Sequence, residues 1–216
     1  DRSWKVVSTP HTVELMPAEG SGCRNYQGPA WYRKHFVLPA ETKGQRVVLH
    51  FEAAMGKQIL YLNGKRIQEH LGGYLPFTLD LTANGVQAGD SCLLAVFTDN
   101  SDDKSYPPGK RQYTLDFAYH GGIYRDVWMI AKSPVAITDA IDSQAVGGGG
   151  VFVHFDKISE KSAQVYVNTE IQNEDVRTES VTVETTLTDA DGKVIKHCSG
   201  KLSLKPGEKK SIQQQM

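Results

Sequence analysis

Long apolar runs are missing from this chain: nothing in its 216 residues approaches the ~18–20 that a membrane-spanning helix needs, so no membrane is expected as a partner. Cysteine is scarce. Cys23, Cys92 and Cys198 lie far apart, an odd count that completes no disulfide framework and offers no metal-ligand spacing, so plain thiols are expected. Charge of one sign is lacking too. The 24 Lys and Arg against 25 Asp and Glu leave a net charge of −1, with no basic stripe to track phosphates, which excludes nucleic acid as a partner. The cluster Lys205 to Lys210 is interrupted by Pro206, Gly207 and Glu208 and reads as a solvated turn. Convincing amphipathic helices are absent; Ala83 to Ala88, after Thr82, has room for one short turn. No signal-like segment opens the chain, yet it starts on Asp1 rather than Met, so a processed or excised piece of a longer protein is expected.

Several catalytic signatures are missing as well. There is no Gly-x-Ser-x-Gly elbow for a nucleophilic serine, and the seven histidines show no His-x-x-x-His metal spacing, so no metal or cofactor is expected. Nothing marks a pair of facing carboxylates of the kind that cleaves glycosidic bonds. Asn173-Glu174, a tempting dipeptide for acid/base work, ends a strand beside Asp175 and reads as a polar loop. Gly147 to Gly150 reads as a surface loop rather than a phosphate cradle, because no helix follows it.

What the chain does contain is strand. Hydrophobic residues make up 39% and charged residues 23%, a globular composition over a length that suits two domains. Arg46 to Glu52 alternates, with Val47, Leu49 and Phe51 on one face and Val48, His50 and Glu52 on the other. Gln58 to Leu62 runs into Asn63-Gly64 and then Lys65-Arg66-Ile67. Asn-Gly between strand-like runs predicts a type I′ hairpin, whose two central residues need positive φ. Leu93 to Thr98 and Val127 to Ala131 add further strands. The texture changes at Lys132-Ser133-Pro134. Beyond it, aromatic-poor alternating runs at Ala163–Ile171 and Ser180–Leu187, a turn at Asp189–Lys193, one or two strands in Val194–Leu204 and a last run at Lys210–Gln215 suggest an antiparallel sandwich. Residues 133–216 fall short of the ~100 such a sandwich uses, so its last strand or two are expected to be missing.

The densest polar and aromatic segment is Asp116-Phe117-Ala118-Tyr119-His120-Gly121-Gly122-Ile123-Tyr124-Arg125-Asp126-Val127, which runs into the apolar Val127-Trp128-Met129-Ile130. A loop of this kind on a β scaffold is a place for recognition residues. Asp116, an acid between Leu115 and Phe117 with no evident packing role, is the candidate substrate contact. Arg125 and Asp126 read as an ion pair or backbone anchor where loop meets strand, His11 as a packed or capping residue, and His70 as the fixative of a loop. Trp31-Tyr32-Arg33-Lys34 reads as an aromatic strand start packed in the core rather than a sugar-stacking platform.

Gly28-Pro29-Ala30-Trp31-Tyr32-Arg33-Lys34-His35-Phe36, Gly44 to Glu52, Tyr61-Leu62-Asn63-Gly64, Glu69 to Phe77, Asp99-Asn100 and Gly121-Gly122-Ile123-Tyr124-Arg125-Asp126-Val127 follow one another in an order and spacing that resembles the amino-terminal part of glycoside hydrolase family two. This family includes β-galactosidases, β-glucuronidases and β-mannosidases. The resemblance covers residues 4–132 strongly and 133–216 more blandly. It implies an all-β architecture: a jelly-roll (galactose-binding-like) β-sandwich over 1–132, followed by a truncated immunoglobulin-like β-sandwich over 133–216. It also implies a barrel, absent from this sequence, that carries two catalytic glutamates. On this resemblance the chain is a non-catalytic piece of a β-galactosidase-like glycosidase. Its expected partner is a carbohydrate β-glycoside bound with the missing barrel, and a homo-oligomer of the full-length protein is compatible with it. A periplasmic or extracellular location is favoured by the resemblance alone. The rival is a free-standing carbohydrate-binding module or adhesin on the same scaffold. The family's sugar-contacting acid falls on Asp116, and Arg24-Asn25-Tyr26 resembles a second loop near the same pocket. The resemblance therefore makes Asp116, Asn25 and His120 the expected substrate-side residues, with no catalytic residue and no metal ligand in the chain.

Overall fold

The computed structural model describes residues 3–15, 26–117, 119–143 and 145–216. The described chain is all-β and built from antiparallel sheets, and contacts divide it into compact units of residues 1–131 and 132–216. Among the described residues, no helix is long and apolar enough to cross a membrane. Two single-turn 3₁₀ helices, Ala40–Thr42 and Gln112–Thr114, are the helical elements described.

The first unit is a two-sheet sandwich. One sheet orders its strands β1 (Pro29–Val37), β6 (Ser91–Asp99), β3 (Lys57–Leu62) and β4 (Lys65–Leu71); the other places β2 (Arg46–Phe51) between β5 (Phe77–Asp80) and β7 (Val127–Lys132). The alternation seen in the sequence sets the faces. Cys92, Leu94 and Val96 of β6 and Leu60 and Leu62 of β3 meet Val47, Leu49 and Phe51 of β2 and Phe77 and Leu79 of β5 in one core. Phe51 and Phe77 stack at 4.7 Å between ring centroids. Val48, expected on the outer face of β2, is buried as well, so this central strand is covered on both sides there.

Asn63 (φ 51°) and Gly64 (φ 81°) form the β3–β4 hairpin turn with Leu62 opposite Lys65, as the Asn-Gly signal predicts. The Asn63 side chain also accepts from Leu93 N at 2.8 Å, which ties the turn to β6. Residues 81–85 form hydrogen-bonded turns rather than a helix.

In the second unit, β10 (Gln164–Asn173) pairs on one side with β13 (Lys209–Gln215) and on the other with β8 (Val135–Ile137) and β9 (Val151–Asp156). A two-stranded sheet, β11 (Glu179–Thr188) with β12 (Val194–Leu204), completes it. Ile171, Val183 and Leu204 form its core cluster. Asn173, the last residue of β10, is fully buried and donates to the carbonyls of Arg177 (2.8 Å) and Leu204 (2.9 Å), so Asn173-Glu174 is a turn anchor. Gly150, expected on a surface loop, is instead buried: its N–H donates to Thr138 Oγ1 at 2.8 Å and its carbonyl accepts from Glu170 N.

Candidate functional site

The segment Gly121–Asp126 is stitched into the first unit along both sides. His11 N donates to Ile123 O (2.7 Å) and Val13 N to Gly121 O (2.9 Å); from the other side Met55 N donates to Gly122 O (3.0 Å) and Glu52 N to Asp126 O (3.1 Å). Tyr124 Oη donates to Gly73 O, which brings in the β4–β5 connection. The Gly pair is required by crowding. A Cβ at Gly121 would lie 2.9 Å from Asn100 Nδ2. One at Gly122, whose φ is +109°, would lie 2.2 Å from Tyr32 Oη. Asp126 is thus a backbone anchor, while the exposed Arg125 lies against the Tyr124 ring at 5.7 Å.

Asp116 is exposed, on the loop between the 3₁₀ turn Gln112–Thr114 and the buried Tyr119. His120, four residues on, is half-buried, and its Nδ1 is buried without a hydrogen-bond partner among the described residues. Arg24 and Asn25 lie outside the described residues, so of the second candidate loop only Tyr26 is placed.

The first unit also holds buried phenols, Tyr106 and Tyr119. Burial pushes the Tyr106 hydroxyl up to about 12, with the charges of Asp103 and Asp99 adding to the effect. Burial raises Tyr119 further, helped by Tyr74, Tyr106 and Asp102. Both rings stay neutral near pH 7. The base of the loop is held by side chains: Asp102 Oδ1 accepts from Gln112 N and Gln27 Nε2, each at 2.9 Å.

His11 Nδ1 and Tyr32 Oη are 2.8 Å apart, as fits a packed histidine. His70 stacks on Phe77 at 4.3 Å. Trp31 departs from the expectation of core packing. It is 49% exposed on the outer face of the four-stranded sheet, edge-on to Phe97 at 5.2 Å and tilted against Tyr61 at 5.7 Å. The alternation explains this, since Tyr32 is the residue of that pair that turns inward against the core.

Two structural contributors have no role assigned from the sequence alone: Asn100, buried just after β6, and Tyr119. The Asp99-Asn100 dipeptide at a strand end, part of the family resemblance, is the sequence feature that points to Asn100. Among the described residues, no group of three or more His, Cys, Asp or Glu is placed to hold a metal. What the arrangement offers is a carboxylate and an imidazole on one loop, next to the anchored Gly121–Asp126 segment.

Residues 7–134 match the family model described as "Glycosyl hydrolases family 2, sugar binding domain". A β-glucuronidase of Formosa agariphila is 31% identical over 98% of this chain and 22% of its own length. A β-galactosidase of Thermoanaerobacter pseudethanolicus is 30% identical over 85% of the chain and 23% of its own length. Among solved structures, Bacteroides uniformis β-glucuronidase 2, covalently bound to cyclophellitol-6-carboxylate aziridine, superposes with a TM-score of 0.84 at 27% identity, covering 100% of this chain and 24% of that one. A β-glucuronidase from glycoside hydrolase family 2 gives 0.83 at 31% identity with the same coverage. The chain therefore spans less than a quarter of the length of these relatives.

Proposed function

The chain belongs to glycosyl hydrolase family 2, and from that premise we propose that it is a non-catalytic, sugar-side portion of a β-glycosidase, its first unit supplying one wall of the glycone pocket. The observation that carries this reading is the anchored Gly121–Asp126 segment, which directly follows the loop bearing Asp116 and His120, within the stretch that matches the sugar binding domain. A carboxylate accepts hydrogen bonds from sugar hydroxyls more strongly than a neutral acceptor does. Asp116 is the proposed contact to a sugar hydroxyl, His120 a second polar group for the same ligand, and Asn25, which lies outside the described residues, a third.

Relatives named β-glucuronidase and relatives named β-galactosidase match at similar identity, so the proposed substrate class is a β-glycoside of either kind. In this reading the bond-breaking carboxylates lie in the remainder of the full-length protein. The experiment is direct: this 216-residue chain, purified alone, turns over neither a chromogenic aryl β-galactoside nor an aryl β-glucuronide, whereas the full-length protein cleaves one of them. Turnover by the isolated chain that survives further purification overturns the reading. A free-standing carbohydrate-binding module or adhesin is the second reading, favoured by the exposed Trp31 beside half-buried Phe97 and Tyr61; the much greater length of the relatives favours the first.

A further inference from the structure

We propose that Asn100 is a positioning residue for sugar recognition, a single buried amide that ties the Tyr26–Gly28 segment to the loop that carries Asp116; this rests on the reading of Asp116 given above.

Asn100 follows β6, is 1% exposed, and spends its side chain on other segments of the chain. Nδ2 donates to Tyr26 O at 2.7 Å and to Tyr119 O at 3.1 Å, and Oδ1 accepts from Gly28 N at 3.1 Å. Its backbone carbonyl accepts from Gln112 Nε2 at 2.8 Å. These partners stand 74, 19, 72 and 12 residues away in sequence. Two of them, Tyr26 and Gly28, lie in the segment that leads into β1. The other two, Gln112 and Tyr119, bracket Asp116. One side chain therefore reaches both segments.

The chemistry of the amide is specific. Two carbonyls face Nδ2 and an N–H faces Oδ1, so only one orientation satisfies all three partners. Aspartate has the same shape but would set an oxygen against the two carbonyls of Tyr26 and Tyr119. Leucine has similar bulk and no polar atoms, and it would leave all three partners buried without a bond. The absence of a side chain at Gly121 is part of the same device, because a Cβ there would lie 2.9–3.0 Å from the Asn100 amide atoms.

A residue that only stabilises the sandwich would lower the folded fraction and leave each folded molecule as active as before. A positioning residue acts through Asp116, and the two substitutions must then be non-additive. The test is a double-mutant cycle in the full-length protein, with Asn100→Ala and Asp116→Ala alone and together. Kinetics on a chromogenic aryl β-galactoside or β-glucuronide are normalised to folded protein by parallel melting.

Asn100→Ala should lower kcat/KM about tenfold, mostly through KM, and add less than about twofold once Asp116 is already alanine. Asn100→Asp should be worse than Asn100→Ala. If Asn100→Ala does not fold, Gln112→Ala, which removes the strap to the Asn100 carbonyl, and Gly121→Ala, which crowds the amide, are read in the same cycle with the same expected non-additivity. Additive effects, or unchanged kinetics per folded molecule in the Asn100, Gln112 and Gly121 variants while Asp116→Ala is impaired, overturn the positioning role and leave the function of the loop standing. Unchanged kinetics in Asp116→Ala itself overturn the reading of the site and this inference with it.

Discussion

The two units of this chain use the same antiparallel strands to very different effect. In the first, all seven strands send side chains into one core, and Leu60 and Leu81 within it have no exposed surface. In the second, Ile171, Val183 and Leu204 are the buried members of the core cluster, with Val135, Val181, Leu202 and Ile212 packed partly against them. β9 contributes nothing to that cluster: Val151, Phe152, Val153 and Phe155 are all 45–60% exposed. Fully burying a side chain of this size is worth about 1.5–3 kcal/mol, so cohesion is concentrated in the unit that presents Asp116. A loop can be held in one conformation only by a scaffold that resists local opening. The first unit has the core to do so.

The sharpest way to break this contrast is to remove the same group from each core. Leu60→Ala should cost about 3–5 kcal/mol and Leu204→Ala about 2–3 kcal/mol, because a small core can collapse around the cavity more readily. Trp4, Trp31 and Trp128 all lie in the first unit, so tryptophan fluorescence during urea unfolding follows that unit alone, while circular dichroism follows both. Leu60→Ala should shift the fluorescence transition, whereas Leu204→Ala should move only the dichroism. Equal shifts of the fluorescence transition would erase the distinction.

Glycine substitutions sharpen the comparison within the first unit. Gly56 and Gly64 have nearly the same φ, +83° and +81°, but a Cβ at Gly56 would lie 1.9 Å from the Asp99 carbonyl oxygen, and one at Gly64 meets nothing within 4 Å. Gly56→Ala should therefore cost about 3 kcal/mol, from overlap with backbone added to left-handed strain, and Gly64→Ala about 1 kcal/mol from the strain alone. Comparable losses in chemical denaturation would mean that the crowding beside Asp99 relaxes freely.

A smaller effect comes from pH. Burial lowers the pKa of His70 below its ordinary 6.5, and burial followed by the charge of Lys5 does the same for His11. Between the folded and unfolded values the unfolded chain binds more protons, so stability rises with pH across that interval and is lost as pH falls through about 6.5. His70→Phe should flatten the slope of first-unit stability below that pH, read by tryptophan fluorescence. An unchanged slope would assign the dependence to other groups.

Strands with one buried face were legible from their alternation, as in Arg46–Phe51, Gln164–Asn173 and Glu179–Thr188. β5 and β8 escaped because four and three residues are too few to establish a period. β9 escaped because Val151-Phe152-Val153 is apolar on both faces. Trp31 departs from the expectation of core packing because its neighbour Tyr32 takes the inward face of the strand. The loop from Asp116 to Asp126 announced itself through local composition. Asn100 did not, since its importance lies in partners 72 and 74 residues distant that only the fold brings within reach.

The central claim, that the well-packed first unit presents a carboxylate to sugar, is tested most directly by Asp116→Ala in the full-length protein, with melting and steady-state kinetics measured side by side. Losing a charge-assisted hydrogen bond removes about 1.5–3 kcal/mol, so kcat/KM should fall by about one to two decades while the melting temperature stays unchanged. A lowered melting temperature with unchanged kcat/KM per folded molecule would show instead that Asp116 only caps its own loop.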